Sequence, residues 1–290
     1  MGIPEGQGII DLMMQIPAGD QSAWYEFMKP LFMDHESRET FTFPVEYMFR
    51  NIPDVGESED YVAVVVREMD RHHIERALIG VTFEESDARR ALREHPDRFI
   101  ASYQVNPNRG MDGVRDLRRA AEELNIVAAS AFPAGLCPQV PINDKKFYPL
   151  YAACVDLDLP IFITCGVPGP RLPMAPQRVE LIDEVCWFFP ELKLIMRHGA
   201  EPWVDLAVKL MLKYPNLYYS TSAFAPKYYP KAIIDYANTR GADKVMYAGY
   251  FPMGLSLERI VRELNDLPLR DHVWAKFLRD NAARVLKLDA

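Results

Sequence analysis

Residues 160–198, PIFITCGVPGPRLPMAPQRVELIDEVCWFFPELKLIMRH, decide the fold. Two short apolar runs, Pro160–Cys165 and Leu192–His198, flank a helical pattern over Val179–Phe188. Runs that are apolar throughout suit strands covered on both faces, and strand–helix–strand is the unit of a parallel sheet. The same rhythm recurs on either side. Earlier runs are Gly8–Gln15, Arg76–Val81, Phe99–Val105 and Ile126–Phe132; later ones are Asn216–Thr221 and Lys244–Gly249. Helical patterns such as Tyr61–His73 and Gly113–Leu124 separate them. Eight such units predict an α/β fold closed into a (β/α)8 TIM barrel, one domain over residues 1–290. No G-x-G-x-x-G follows any run, so an open dinucleotide-binding sheet has no positive support.

One segment breaks the rhythm. Residues 16–60 follow the first strand without a βα pattern and are rich in aromatic residues and Met: Trp24, Tyr25, Phe27, Met28, Phe32, Met33, Phe41, Phe43, Tyr47, Met48 and Phe49. An insertion there lies over the C-terminal mouth of a barrel, as a lid, an interface or a packed segment without a role in chemistry. Its apolar content predicts a homodimer or higher homo-oligomer, since large apolar patches usually mark interfaces.

Composition narrows the function classes. A net charge of −8 with no basic run argues against nucleic acid and anionic membrane as partners. No apolar run approaches the ~20 residues that cross a bilayer, and the opening residues lack the pattern of a secretory signal. Four cysteines in 290 residues make no disulfide framework. The expectation is a cytoplasmic protein acting on a small molecule.

In this fold, active sites are built from strand C-termini and the loops that follow them. The positions of interest are therefore Met13 and Gln15, Thr164 and Cys165, Arg197 and His198, and Gly249 and Tyr250. Strand periodicity puts Asp11, Met13 and Gln15 on one face, and puts Arg197 on the face opposite His198. His72 and His73 fall before the second strand, at the far end of the barrel, and His35 lies in the insertion.

Several segments carry a resemblance. They are Ile9–Ile10–Asp11, Ile142–Tyr151 (INDKKFYPLY), Leu159–Gly166 (LPIFITCG), Lys193–Trp203 (KLIMRHGAEPW), Lys244–Pro252 (KVMYAGYFP) and Asn281–Leu288 (NAARVLKL). In order and spacing the chain resembles the amidohydrolase-related family, the branch with aminocarboxymuconate-semialdehyde decarboxylase, resorcylate-type decarboxylases and small lactonases. The resemblance implies a divalent metal held by H-x-H on strand one, a His on strand five, a His on strand six and an Asp on strand eight. At these positions the chain has Met13 and Gln15, Thr164, His198 and Tyr250. A zinc-type site needs about three protein ligands from His, Cys or carboxylate, so the sequence predicts no metal and no cofactor. A replacement set of Cys137, Cys165 and His198 is the one alternative for a metal.

The expected catalytic residues are His198 as acid or base, Tyr250 as donor to an oxyanion, and Asp11. Gln15, Thr164, Cys165 and Met13 are expected to line the substrate site, and Arg171 to hold a carboxylate. Each has a plainer reading: His198 as a buried, hydrogen-bonded core residue, Tyr250 as packing beside Phe251, Arg171 as a surface ion pair. The resemblance implies a hydrolase or decarboxylase-like carbon–carbon lyase for a small carbonyl or carboxylate substrate, without the usual metal. The alternative is a catalytically inactive barrel kept for binding.

Overall fold

The computed structural model describes residues 2–18, 21–39 and 43–288; Phe41 of the insertion lies outside them. Eight parallel strands run in sequence order: β1 (Ile9–Met14), β2 (Ile74–Val81), β3 (Phe99–Gln104), β4 (Ile126–Ala131), β5 (Ile161–Thr164), β6 (Leu194–Arg197), β7 (Leu217–Ser220) and β8 (Val245–Met246). Every run read from the sequence is a strand, and the chain is a TIM barrel with its insertion after β1. Among the described residues no helix is long and apolar enough to cross a membrane.

The helices are α1 (His35–Glu39) in the insertion, then α2 (Tyr61–Arg71), α3 (Asp87–Glu94), α4 (Met111–Glu123), α5 (Tyr148–Asp156), α6 (Leu181–Phe188), α7 (Val204–Lys213), α8 (Lys231–Ala237), α9 (Leu257–Leu264), α10 (Asp271–Ala275) and α11 (Asn281–Leu286). Local chemistry starts several of them. The side chains of Asp60, Ser86 and Ser256 accept the free N–H groups of the first turns of α2, α3 and α9.

Alternation along the strands divides the core into two shells. Ile10, Leu12, Leu78, Ile100, Ala128, Phe162, Ile195, Tyr218, Met246 and Ala248 pack together inside the barrel, and residues of α11 share the cluster. The opposite faces, with Ile9, Ile79, Ile163, Met196 and Tyr219, pack outward against the helices. These phases fix which residues reach the lumen at the strand ends.

At β1 the phase slips. Asp11 pairs with Ala77 and Met14 with Ile79, so three steps on β1 match two on β2. This bulge is closed by the Met13 N–H, which donates to Asp11 Oδ1 at 2.9 Å. Asp11 therefore faces out of the barrel, whereas Met13 packs against the inner cluster. The expectation that Asp11 shares a face with Met13 and Gln15 is corrected: the extra residue breaks the period of two between them.

The turned-out carboxylate lies at the seam between β8 and β1. Backbone pairing there is one bridge, Met14 to Phe251, with the Gln15 N–H donating to the Phe251 carbonyl. Asp11 adds the rest, accepting the Gly249 N–H at 2.8 Å and the Tyr247 hydroxyl at 3.2 Å. Gly249 allows this approach, since a Cβ there would stand 2.5 Å from Asp11 Oδ2.

Candidate active site

The site begins at the end of β6. Ile195 belongs to the inner cluster, so Arg197, two residues on, points into the lumen as well. Its Nε donates to Thr164 Oγ1 at 3.3 Å, across the β5–β6 register that pairs Thr164 with Arg197. The expectation that Arg197 faces the helices is overturned. The strand stops at Arg197, and His198 adopts a left-handed backbone with φ 63°, followed by Gly199 at φ 89°. Counting the alternation from His198 therefore started one residue outside the strand. Signals for this were present in the Arg-His-Gly triplet, where glycine marks a turn.

The left-handed conformation costs a non-glycine residue on the order of 1 kcal/mol. The turn is held by the His198 N–H, which donates to Ser222 Oγ at 3.0 Å. It sets the imidazole edge-on to the Tyr250 ring, with centroids 5.7 Å apart and an interplanar angle of 77°. Nδ1 of His198 is closed off from solvent and has no hydrogen-bond partner among the described residues. Burial, with the neighbouring Arg197 charge, holds the His198 pKa well below the ordinary 6.5. The ring is neutral at pH 7.

Two further groups are shaped by the same surroundings. Burial lowers the Arg197 guanidinium to about 10, opposed by Tyr250, so it keeps its charge at neutral pH. Burial raises the Tyr250 phenol to about 12, opposed by Arg197, so it keeps its proton. A fixed cation, a neutral base and a neutral phenol thus meet at one rim.

Of the expected lining residues, Thr164 is at the site through Arg197, and Met13 reaches the inner cluster. Gln15 lies within reach of Gly80 on β2, at its lumen-facing position. Others are elsewhere. Cys165 packs in the outer shell and its Sγ donates to the Gly199 carbonyl, because odd-numbered positions of β5 face the helices. Cys137 is exposed. Arg171 is exposed and paired with Asp34 at 2.9 Å and Glu36 at 2.7 Å, so its charge is already met by the insertion. His35 pairs with Glu39 on the surface, and His72 ends α2.

The insertion covers this rim. Phe49 stacks on Tyr250 at 5.5 Å, Phe43 packs on Phe49, and Tyr25 on Phe43. Met28 and Phe32 bury against Ala134 and Leu172, from the loops after β4 and β5. The Tyr47 hydroxyl donates to the Gly169 carbonyl.

Fold and site together define a (β/α)8 barrel with its polar groups collected at the strand C-termini, the end where enzymes of this architecture work. The chain belongs to the amidohydrolase family, whose model matches residues 45–288. No curated protein matches it significantly. Solved structures share the fold. An uncharacterised TIM-barrel protein from Bordetella bronchiseptica is 23% identical, with a TM-score of 0.73 over 97% of this chain and 98% of that one. A 5-carboxyvanillate decarboxylase from Novosphingobium aromaticivorans, in complex with manganese and 4-hydroxy-3-methoxy-5-nitrobenzoic acid, is 17% identical, with a TM-score of 0.69 over 97% and 96%. The 2,6-dihydroxybenzoate decarboxylase from Rhizobium is 17% identical, with a TM-score of 0.67 over 98% and 100%.

A divalent ion does not fit this rim. Among the described residues no three His, Cys, Asp or Glu side chains gather to hold a metal. Tyr250 beside His198 is a neutral phenol, Thr164 offers a hydroxyl already bonded to the Arg197 guanidinium, and Met13 and Gln15 carry a thioether and an amide, none of them a ligand of the usual zinc type. The Cys137, Cys165 and His198 set is dispersed over the exterior, the outer shell and the rim.

Proposed function

We propose that this protein is a hydrolase or decarboxylase-like carbon–carbon lyase for a small carbonyl or carboxylate substrate, working without a divalent ion, with His198 as its acid–base group. The observation that carries the reading is the unpartnered Nδ1 of His198 at the rim. A buried polar nitrogen without a partner costs about 1–3 kcal/mol, and such atoms mark places where a ligand completes the bonding. A neutral imidazole accepts a proton from water or from a substrate hydroxyl at pH 7. The Tyr250 phenol, still protonated, donates to an oxygen on which charge develops. Membership of the amidohydrolase family and the decarboxylases among its structural neighbours support the reaction class.

A second reading is a barrel that binds without turnover, favoured by the Phe49 ring stacked on Tyr250 across the rim. One experiment separates the two. Purified protein treated with EDTA is assayed against hydroxybenzoates and small lactones. Turnover that survives EDTA and falls about 100-fold or more in His198→Ala is the expected result. Turnover abolished by EDTA and restored by manganese overturns the metal-free reading; no turnover of any substrate leaves the binding barrel.

We also read the protein as cytoplasmic and as a homo-oligomer joined through the insertion, where Tyr47 and Met48 are exposed next to Gly169 of the loop after β5.

A further inference from the structure

We propose that Arg197 makes the mouth of this barrel an anion site, in which the guanidinium holds a carboxylate where the donors for a divalent ion are lacking. The inference rests on the mouth being the ligand site, as in the reading above. Its ground is the pairing of Arg197. Only Nε is engaged, by the Thr164 hydroxyl, and no carboxylate stands against the guanidinium among the described residues. The other groups at the rim are a phenol, a neutral imidazole and hydroxyls, none of which balances a positive charge.

Several other arginines are matched by carboxylates. Arg90 meets Asp60, Asp87 and Glu94; Arg93 meets Glu85; Arg171 meets Asp34 and Glu36. These pairs are on the surface, where water would solvate an unpaired charge cheaply. Arg197 is partly buried at the strand end, where an unpaired charge is costly, yet no acid faces it among the described residues. The nearest buried carboxylate of β1, Asp11, is turned through the barrel wall and saturated by Gly249, Met13 and Tyr247. The counterion is therefore left for a ligand to bring. The planar fork presents two remaining NH2 groups, the geometry that matches a carboxylate with two parallel bonds. The carboxylate-holding role read from the sequence for Arg171 thus passes to Arg197.

The test is calorimetric titration of the full chain at pH 7 with sodium benzoate and, separately, with manganese chloride. Benzoate is expected to saturate one site, with affinity at least 10-fold weaker in Arg197→Gln and intermediate in Arg197→Lys, which keeps charge and loses the fork. Manganese is expected to give no saturable heat. Arg197→Met provides a folding control: it removes an unpaired buried charge, so its Tm is expected to be no lower than wild type, while the benzoate-induced rise in Tm disappears. Equal benzoate affinity in wild type and Arg197→Gln, no benzoate binding at all, or stoichiometric manganese lost in His198→Ala would each overturn the proposal. Benzoate binding with no turnover of any substrate supports this inference and removes the catalytic reading alone.

Discussion

The Asp11 carboxylate and the Gly249 backbone N–H meet at 2.8 Å across the seam where β8 returns to β1. A side chain there does the work of a missing rung in the backbone ladder. It does so as a buried carboxyl, whose pKa is raised from 3.8 to about 6, chiefly by desolvation and against its three hydrogen bonds.

The sign of the pH effect follows from that shift. Between about pH 4 and pH 6 the native chain holds this proton and the unfolded chain releases it. The group's contribution is present in full below the unfolded value and is lost as pH rises through about 6. Two pKa units correspond to a loss on the order of 3 kcal/mol. Asp11→Asn keeps the two N–H bonds on Oδ1 and offers its NH2 to the Tyr247 oxygen. Its Tm is expected to exceed wild type at pH 8, with the gap closing toward pH 4. Parallel Tm profiles for the two proteins between pH 4 and pH 8 would show that Asp11 titrates like an ordinary carboxyl.

Tyr250→Phe separates chemistry from packing. The phenylalanine ring keeps the contacts to Phe49 and His198, so Tm should change little. If the phenol donates to a developing oxyanion, kcat should drop by about 100-fold with KM nearly unchanged. An unaltered kcat would return Tyr250 to aromatic packing.

The insertion carries the assembly prediction. Met33 is 80% exposed, Tyr47 58% and Met48 55%, and Met48 lies against Gly169 of the loop after β5. Sedimentation at micromolar concentration is expected to show a dimer or larger species, weakened in the double variant Met33→Asp, Met48→Asp. A wild-type monomer at that concentration removes the prediction.

Much of the architecture was legible in the chain. The eight apolar runs, the glycine and proline residues that bound them and the break at 16–60 are local patterns, and each corresponds to an element of the fold. The departures from the metal-ligand pattern at Met13, Gln15, Thr164 and Tyr250 were equally plain, because a side chain's donor chemistry does not depend on where it is placed. The errors were errors of phase. The bulge after Asp11 breaks its phase with Met13 and Gln15, and the left-handed turn leaves His198 outside the strand, so that Arg197 takes its phase from Ile195 and faces inward. Cys165 falls on the outer face by plain alternation, once β5 is counted from Phe162.

The amino-acid sequence by itself determined the barrel, its insertion and the side chains that stand where the family pattern has metal ligands. Tertiary structure alone decided which charges face the lumen and that, among the described residues, Arg197 meets no acid and the Nδ1 of His198 no partner. Pairing and desolvation arise between residues far apart in the chain, and a single extra residue in a strand exchanges the inside of a barrel for its outside.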